Sequence, residues 1–80
     1  MNHKLALYGT SACHLCEEAT VIVTPLARIL GLSLVLIDIA GDESLEGRYG
    51  TRIPVLSRSD GGELCWPFDA AKVHEFLRFT

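Results

Sequence analysis

Two cysteines, in Cys13-His14-Leu15-Cys16, stand where a short apolar segment gives way to a helical pattern, and that junction restricts the folds open to this chain more than any other feature. Leu5-Ala6-Leu7-Tyr8 is apolar and of the length of a buried strand, and the first strand is expected over Lys4 to Tyr8. Gly9-Thr10-Ser11 supplies a turn and a hydroxyl suited to capping a helix. Beyond it, Leu15, Ala19, Ile22, Leu26 and Ile29 recur at helical spacing, which predicts a helix from about Ala12 to Leu30, stopped by Gly31. Pro25 lies inside that pattern and predicts a kink near Val21 to Thr24. Cys13 therefore falls in or next to a first helical turn, where unpaired N–H groups and the helix dipole favour an anion. A thiolate is such an anion, and only the thiolate is a good nucleophile.

Ser33 to Ile39 reads as a second strand, apolar until Asp38, as in a parallel sheet covered on both faces. Strand, helix and strand in this order make a right-handed βαβ unit. After the break at Ala40-Gly41-Asp42, Glu43 to Tyr49 fits a short helix with Leu45 and Tyr49 inward. A third strand is expected to open at Arg52-Ile53-Pro54-Val55-Leu56, with Pro54 at its first residue. Ser59-Asp60-Gly61-Gly62 signals a hairpin, with Glu63-Leu64-Cys65 as the returning strand. Phe68-Asp69 forms a staple and N-cap for a last helix from Ala70 to about Arg78, with Phe68 packing on Val73, and Phe76 and Leu77 completing the buried face. The order β-α-β-α-β-β-α is an α/β sandwich around a small mixed sheet.

Residues 1–80 suffice for one domain, near the lower limit for a self-sufficient core. With 49% apolar and 21% charged residues, the chain has the composition of a compact globular protein. A net charge of −3, with seven Lys and Arg scattered along the chain, leaves no basic footprint for nucleic acid. No apolar run approaches the roughly 18 residues of a membrane span, and Met1 to Lys4 lack the layout of a signal peptide. A cytoplasmic monomer is the expectation. Three cysteines in such a compartment do not make a structural disulfide framework, so the CxxC points to redox or metal chemistry.

Taken together, the element order, the CxxC opening the first helix and the Ile53-Pro54 opening the third strand resemble the thioredoxin fold in its compact glutaredoxin-type form. Closer still is the small bacterial glutaredoxin-like family, which combines a Cys-His-Leu-Cys type motif, Arg-Tyr-Gly-x-Arg-Ile-Pro-Val-Leu and Trp-Pro-Phe-Asp. Here those are Cys13 to Cys16, Arg48 to Leu56 and Trp66 to Asp69. The resemblance covers essentially the whole chain. It implies a four-stranded sheet of order 4-3-1-2 with strand 3 antiparallel to the rest, and a cis Ile53-Pro54 bond lying against the CxxC. It further implies that Ile53 offers its N–H and C=O to an extended thiol substrate, with Pro54 shaping that loop. Glutathione-binding relatives carry a Lys shortly before the first cysteine, where this chain has Tyr8-Gly9-Thr10-Ser11, and a Gly-Gly-x-Asp-Asp-like turn, where Glu63 to Phe68 intervene before Asp69. Arg52 or Arg48 would bind the glycine carboxylate instead.

The leading reading is thiol–disulfide exchange, with Cys13 the nucleophile and Cys16 the resolving thiol. The partners are a disulfide-containing protein or a small thiol. No bound cofactor is implied, and glutathione or a dithiol reductase serves as reductant. His14 is a candidate for tuning Cys13, against the bland reading of a solvated first-turn residue. Glu17 and Glu18 disfavour a second thiolate at Cys16, or are simply favourable first-turn acids. Cys65 is expected to be a buried, inert thiol, Trp66 and Tyr8 mainly packing residues, and Asp38 a strand end rather than a buried proton acceptor for Cys16. Two alternatives stay open. One is a non-catalytic module that holds a peptide at Ile53-Pro54 and the Arg48/Arg52 surface. The other is a zinc or iron–sulfur carrier, although a structural zinc site needs four ligands, and Cys65, His3 and His14 would have to converge with the CxxC.

Overall fold

The computed structural model describes residues 4–78. Along the chain lie β1 (Lys4–Gly9), α1 (His14–Leu30), β2 (Ser33–Asp38), α2 (Glu43–Tyr49), β3 (Val55–Arg58), β4 (Glu63–Cys65) and α3 (Ala70–Leu77). The strands form one sheet in the order β2-β1-β3-β4. β1 and β2 are parallel, while β3 runs antiparallel to both β1 and β4. This is the expected α/β architecture and sheet order.

Strand alternation divides the interior into two cores. Leu5 and Leu7 of β1 and Leu56 of β3 point to one face, where Ala19, Val23 and Ala27 of α1 and Val73 and Leu77 of α3 cover them together with Phe68. Tyr8 and Val55 point to the other face and meet Ile39, Ile53 and the α2 residues Leu45 and Tyr49. The sheet is thus sandwiched between a helix pair and one short helix.

The α1 stripe differs from the expected one. Cys16, Ala19, Val23 and Ala27 are the buried residues, while Leu15 and Ile29 are exposed and Ile22 and Leu26 flank the core half-buried. Two apolar stripes one residue apart overlap on this helix, and the one with small side chains faces the sheet because it allows close approach. Pro25 sits at an exposed position and the helix continues through it. Gly31 ends α1 with φ 70°, in the left-handed region that favours glycine; its N–H donates to the Arg28 carbonyl and the Leu32 N–H to the Ala27 carbonyl at 2.8 Å.

Two strand expectations are corrected. β2 is not covered on both faces: it is an edge strand, with Val35 46% and Leu36 61% exposed. β3 opens at Val55 rather than at Pro54, since proline has no N–H to give the ladder. The last helix is capped by Asp69 as expected, and Asp42, read only as a break, caps α2. Asp42 Oδ1 accepts the Leu45 N–H at 3.0 Å, and Asp69 Oδ1 accepts the Lys72 N–H at 2.8 Å.

The β3–β4 hairpin is fastened to α3 by one side chain. Arg58 donates from Nε to Asp60 Oδ1 at 3.1 Å and from Nη1 to the Phe76 carbonyl at 2.9 Å, with its guanidinium 4.5 Å from the Phe76 ring centre. Replacing Arg58 by Ala removes the carbonyl bond and the stacked packing together, and should cost about 1–3 kcal/mol in urea unfolding. Asp60→Ala removes an exposed ion pair together with the acceptor of the Gly62 N–H at 2.9 Å, and should destabilise less than Arg58→Ala in the same unfolding experiment.

Candidate functional site

The β1–α1 junction builds the site. Cys13 is the N-cap of α1, with extended backbone angles of −96° and 110°, and its Sγ accepts the Cys16 N–H at 3.1 Å. The cap is therefore a sulfur and not the Thr10 or Ser11 hydroxyl that the sequence suggests. The Cys13 N–H donates to the Thr10 carbonyl at 3.3 Å, closing the turn before the helix. Cys13 and Cys16 are joined as a disulfide with their Cα atoms 5.2 Å apart. Cys13 is partly exposed, whereas Cys16 is only 7% exposed. An accessible sulfur on an orphan helix N–H is placed to attack and to carry negative charge, and a buried sulfur bonded to it is placed to resolve.

Gly9 and Thr20 hold Cys16 in place. A Cβ on Gly9 would lie 2.8 Å from Cys16 Sγ and 3.1 Å from its Cβ, so only glycine lets β1 pass this closely under the disulfide. Thr20 Oγ1 donates to the Cys16 carbonyl at 2.9 Å. Gly9 reads from sequence as a turn former; its place at the end of an apolar strand is the signal of close backbone approach that the turn reading passes over. A groove of about 270 Å³ adjoins the disulfide, lined by Leu7 and Gly9 of β1, Cys16, Glu17 and Thr20 of α1 and Leu36 to Asp38 of β2, together with Thr10 and Ser11.

The Ile53-Pro54 bond is cis, and so is Trp66-Pro67, for which the sequence raised no expectation. Tyr8 pairs with Val55, so the register continued by one residue sets Pro54 opposite Gly9, which in turn touches Cys16. The loop is thereby brought to the disulfide side of the sheet. The Ile53 N–H is donated to the Tyr49 carbonyl at 3.1 Å, so the pairing group available to a substrate at Ile53 is its carbonyl. Pro54 is buried, and its carbonyl accepts the Trp66 N–H at 3.1 Å.

Arg52 and Arg48 are engaged within the protein. Arg52 donates from Nη2 to the Arg48 carbonyl at 3.0 Å and from Nη1 to Cys65 Sγ at 3.7 Å, and lies 3.9 Å from Glu63 Oε1. Arg48 lies 3.6 Å from Glu63 Oε2, and both guanidiniums sit within 5.4 Å of the Tyr49 ring centre. Tyr49 stacks on Tyr8 and donates its hydroxyl to Glu63 Oε2 at 2.5 Å. Glu63 is a residue that sequence reasoning missed; a carboxylate inside a short strand is the signal, because a half-buried one needs partners. The hydrogen bond that the phenol donates to this carboxylate, together with burial, pushes the Tyr49 pKa up to about 12.

His14 extends into solvent beside Glu17 (3.7 Å) and Glu18 (3.8 Å), and no contact joins it to Cys13. Asp38 is exposed at the end of β2, where Oδ1 accepts the Ala40 N–H at 2.9 Å, as a strand end should. Cys65 is half-buried against Arg52, not enclosed as expected. Trp66 meets Phe68 edge-on at 5.0 Å at the margin of the larger core. Among the described residues no three His, Cys, Asp or Glu side chains are grouped to hold a metal ion, and His3 lies outside those residues.

Gly9→Ala forces Cys16 to shift and should destabilise the oxidised protein by about 1–3 kcal/mol, more than it destabilises the reduced protein, as read by unfolding each form. A second expectation concerns pH. The unfolded chain releases a tyrosine proton near 10, whereas folded Tyr49 keeps its proton to about 12. Folding stability should therefore fall as pH rises across that interval, and Tyr49→Phe should flatten the decline, measured by urea unfolding at pH 9, 10 and 11.

The family model of the glutaredoxin-like domain (DUF836) matches residues 4–78. The crystal structure of protein XcR50 from X. campestris is 39% identical, superposes with a TM-score of 0.80, and the match covers 95% of this chain and 97% of that one. Protein Ne2328 from Nitrosomonas europaea is 34% identical with a TM-score of 0.79, over 96% and 93% of the two chains. Thioredoxin 1 from Thermosipho africanus, at 12% identity and a TM-score of 0.73 over 95% and 91%, shares the fold. No curated protein matches the sequence. A family match over nearly the whole chain, with the sheet order and cysteine pair in place, establishes that this chain belongs to the glutaredoxin-like domain family and has a thioredoxin-like fold.

Proposed function

We propose that the protein is a thiol–disulfide oxidoreductase working through Cys13 and Cys16. The observation that carries this reading is the asymmetry of the pair: a partly exposed sulfur at the helix N-cap bonded to a buried one. In the reduced protein the Cys13 thiolate attacks one sulfur of a substrate disulfide and expels the other as a thiolate, which takes up a proton. The Cys16 thiolate then attacks Cys13 Sγ, forming the internal disulfide and releasing the substrate's second sulfur. Two electrons pass to the substrate, and the two thiol protons end on its released sulfurs. The helix N-terminus and the Cys16 N–H stabilise the charge on Cys13 at the start of this sequence.

The oxidised pair is returned to dithiol by glutathione or by a dithiol reductase, and the substrate is a disulfide-bearing protein or small thiol compound. No bound cofactor takes part in this scheme. No helix among the described residues is long and apolar enough to cross a membrane, in keeping with a role in the cytoplasm.

Cys16→Ser should accumulate a mixed disulfide on Cys13, seen by intact mass, because attack proceeds and resolution does not. Cys13→Ser should form none and should lower turnover of a model disulfide at least a hundredfold, in proportion to the lost nucleophile. Equal exchange by Cys13→Ser and the unaltered protein would assign the activity elsewhere.

A further inference from the structure

The groove beside the disulfide has a composition of its own. Its β2 wall is Leu36 and Ile37, its α1 wall is Cys16, Glu17 and Thr20, and Asp38 stands at its end. The charged residues lining it are thus both carboxylates, and both are exposed. Leu36 is an aliphatic side chain 61% exposed in the same groove as Cys16, and a docked apolar group would cover it. The nearby cations, Arg48 of α2 and Arg52 of the cis-proline loop, are not among the residues lining this groove. Arg48 and Arg52 face Glu63, and Arg52 also bonds the Arg48 carbonyl and Cys65. On the opposite side of the disulfide, the Ile53 N–H is already donated to Tyr49. A substrate therefore finds apolar surface from β2, negative charge from both walls of the groove, and a backbone acceptor at Ile53.

We infer that this groove seats the polypeptide flanking the substrate's disulfide, and that it selects a neutral or basic segment with a large apolar residue next to the cysteine while rejecting anionic disulfides. Glutathione disulfide, which carries four carboxylates against two amino groups, belongs to the rejected class. The inference rests on the exchange chemistry proposed above and assigns its specificity to Glu17, Asp38 and Leu36. The physical basis is charge complementarity at the moment of encounter. At about 9 Å in water, each pair of unit charges changes an encounter rate about twofold, so two carboxylates each facing one substrate charge change it about fourfold from neutral and separate −2 from +2 by on the order of tenfold. Salt removes it, since the screening length falls from about 30 Å at 10 mM to about 3 Å at 1 M.

The test uses the full reduced protein and disulfide-linked peptides with a Phe beside the cysteine and net charges of −2, 0 and +2, followed by stopped-flow exchange. At 10 mM salt the rates should rise from −2 to +2 by about tenfold, and at 1 M salt they should agree within about twofold. The double substitution Glu17→Gln with Asp38→Asn should narrow the low-salt spread to about threefold or less. Glu75→Gln, which alters net charge on α3 away from the groove, should leave the spread as it was. Leu36→Ser should erase the advantage of the Phe peptide over a neutral Gly peptide. Equal rates for the three charges at low salt, or a spread that survives loss of both carboxylates, would overturn the inference while leaving exchange intact. Absence of exchange with every peptide would instead overturn the oxidoreductase reading, and this specificity with it.

Discussion

The closeness of β1 to the first turn of α1 governs the geometry of this protein. Gly9 has no side chain, so the strand passes within van der Waals reach of Cys16 Sγ, and Cys16 is held under the protein surface. With Cys16 fixed, the helix stripe below it is fixed too, which brings Ala19, Val23 and Ala27 rather than Leu15 and Ile29 onto the sheet. Cys13, three residues earlier, is left at the helix terminus with its sulfur on a backbone N–H. One close approach thus sets the depth of the Cys16 sulfur, the exposure of the Cys13 sulfur and the packing of the longest helix.

The second core serves the site from the opposite face. Tyr8 leads directly into Gly9, and its ring is stacked on Tyr49, which is tied through Glu63 to β4 and covered by Arg48 and Arg52. This cluster ties the end of β1 to the segment before Pro54, where the Ile53 N–H donates to the Tyr49 carbonyl. It also uses the arginines internally. Arg48 and Arg52 share the one carboxylate of Glu63, while the carboxylates of Glu17 and Asp38 line the groove beside the disulfide.

Much of the fold was legible because local and tertiary preferences agree. Asp42, Asp69 and Gly31 are cap residues by chemistry and cap helices in the structure, and the turn at Ser59 to Gly62 places Gly61 at φ 94°, which favours glycine. The dithiol was legible because its position on a strand–helix junction is itself the chemistry. What stayed hidden depends on distance across the fold. The choice between two overlapping α1 stripes is made by packing against Gly9, which periodicity does not encode. The exposure of β2 depends on its place at the sheet edge, whereas its composition is that of a covered strand. Arg52 looks like a free binding cation in one dimension, and only the hairpin that delivers Glu63 and Cys65 shows what occupies it.

The central claim is that Cys13 and Cys16 are a reversible redox pair. The most direct measurement equilibrates the protein in glutathione buffers of graded poise, then traps free thiols by alkylation and counts them by intact mass. The account predicts a single two-electron transition in which only these two thiols change together, at a potential between about −270 and −180 mV. Failure to form the internal disulfide at any poise would contradict it.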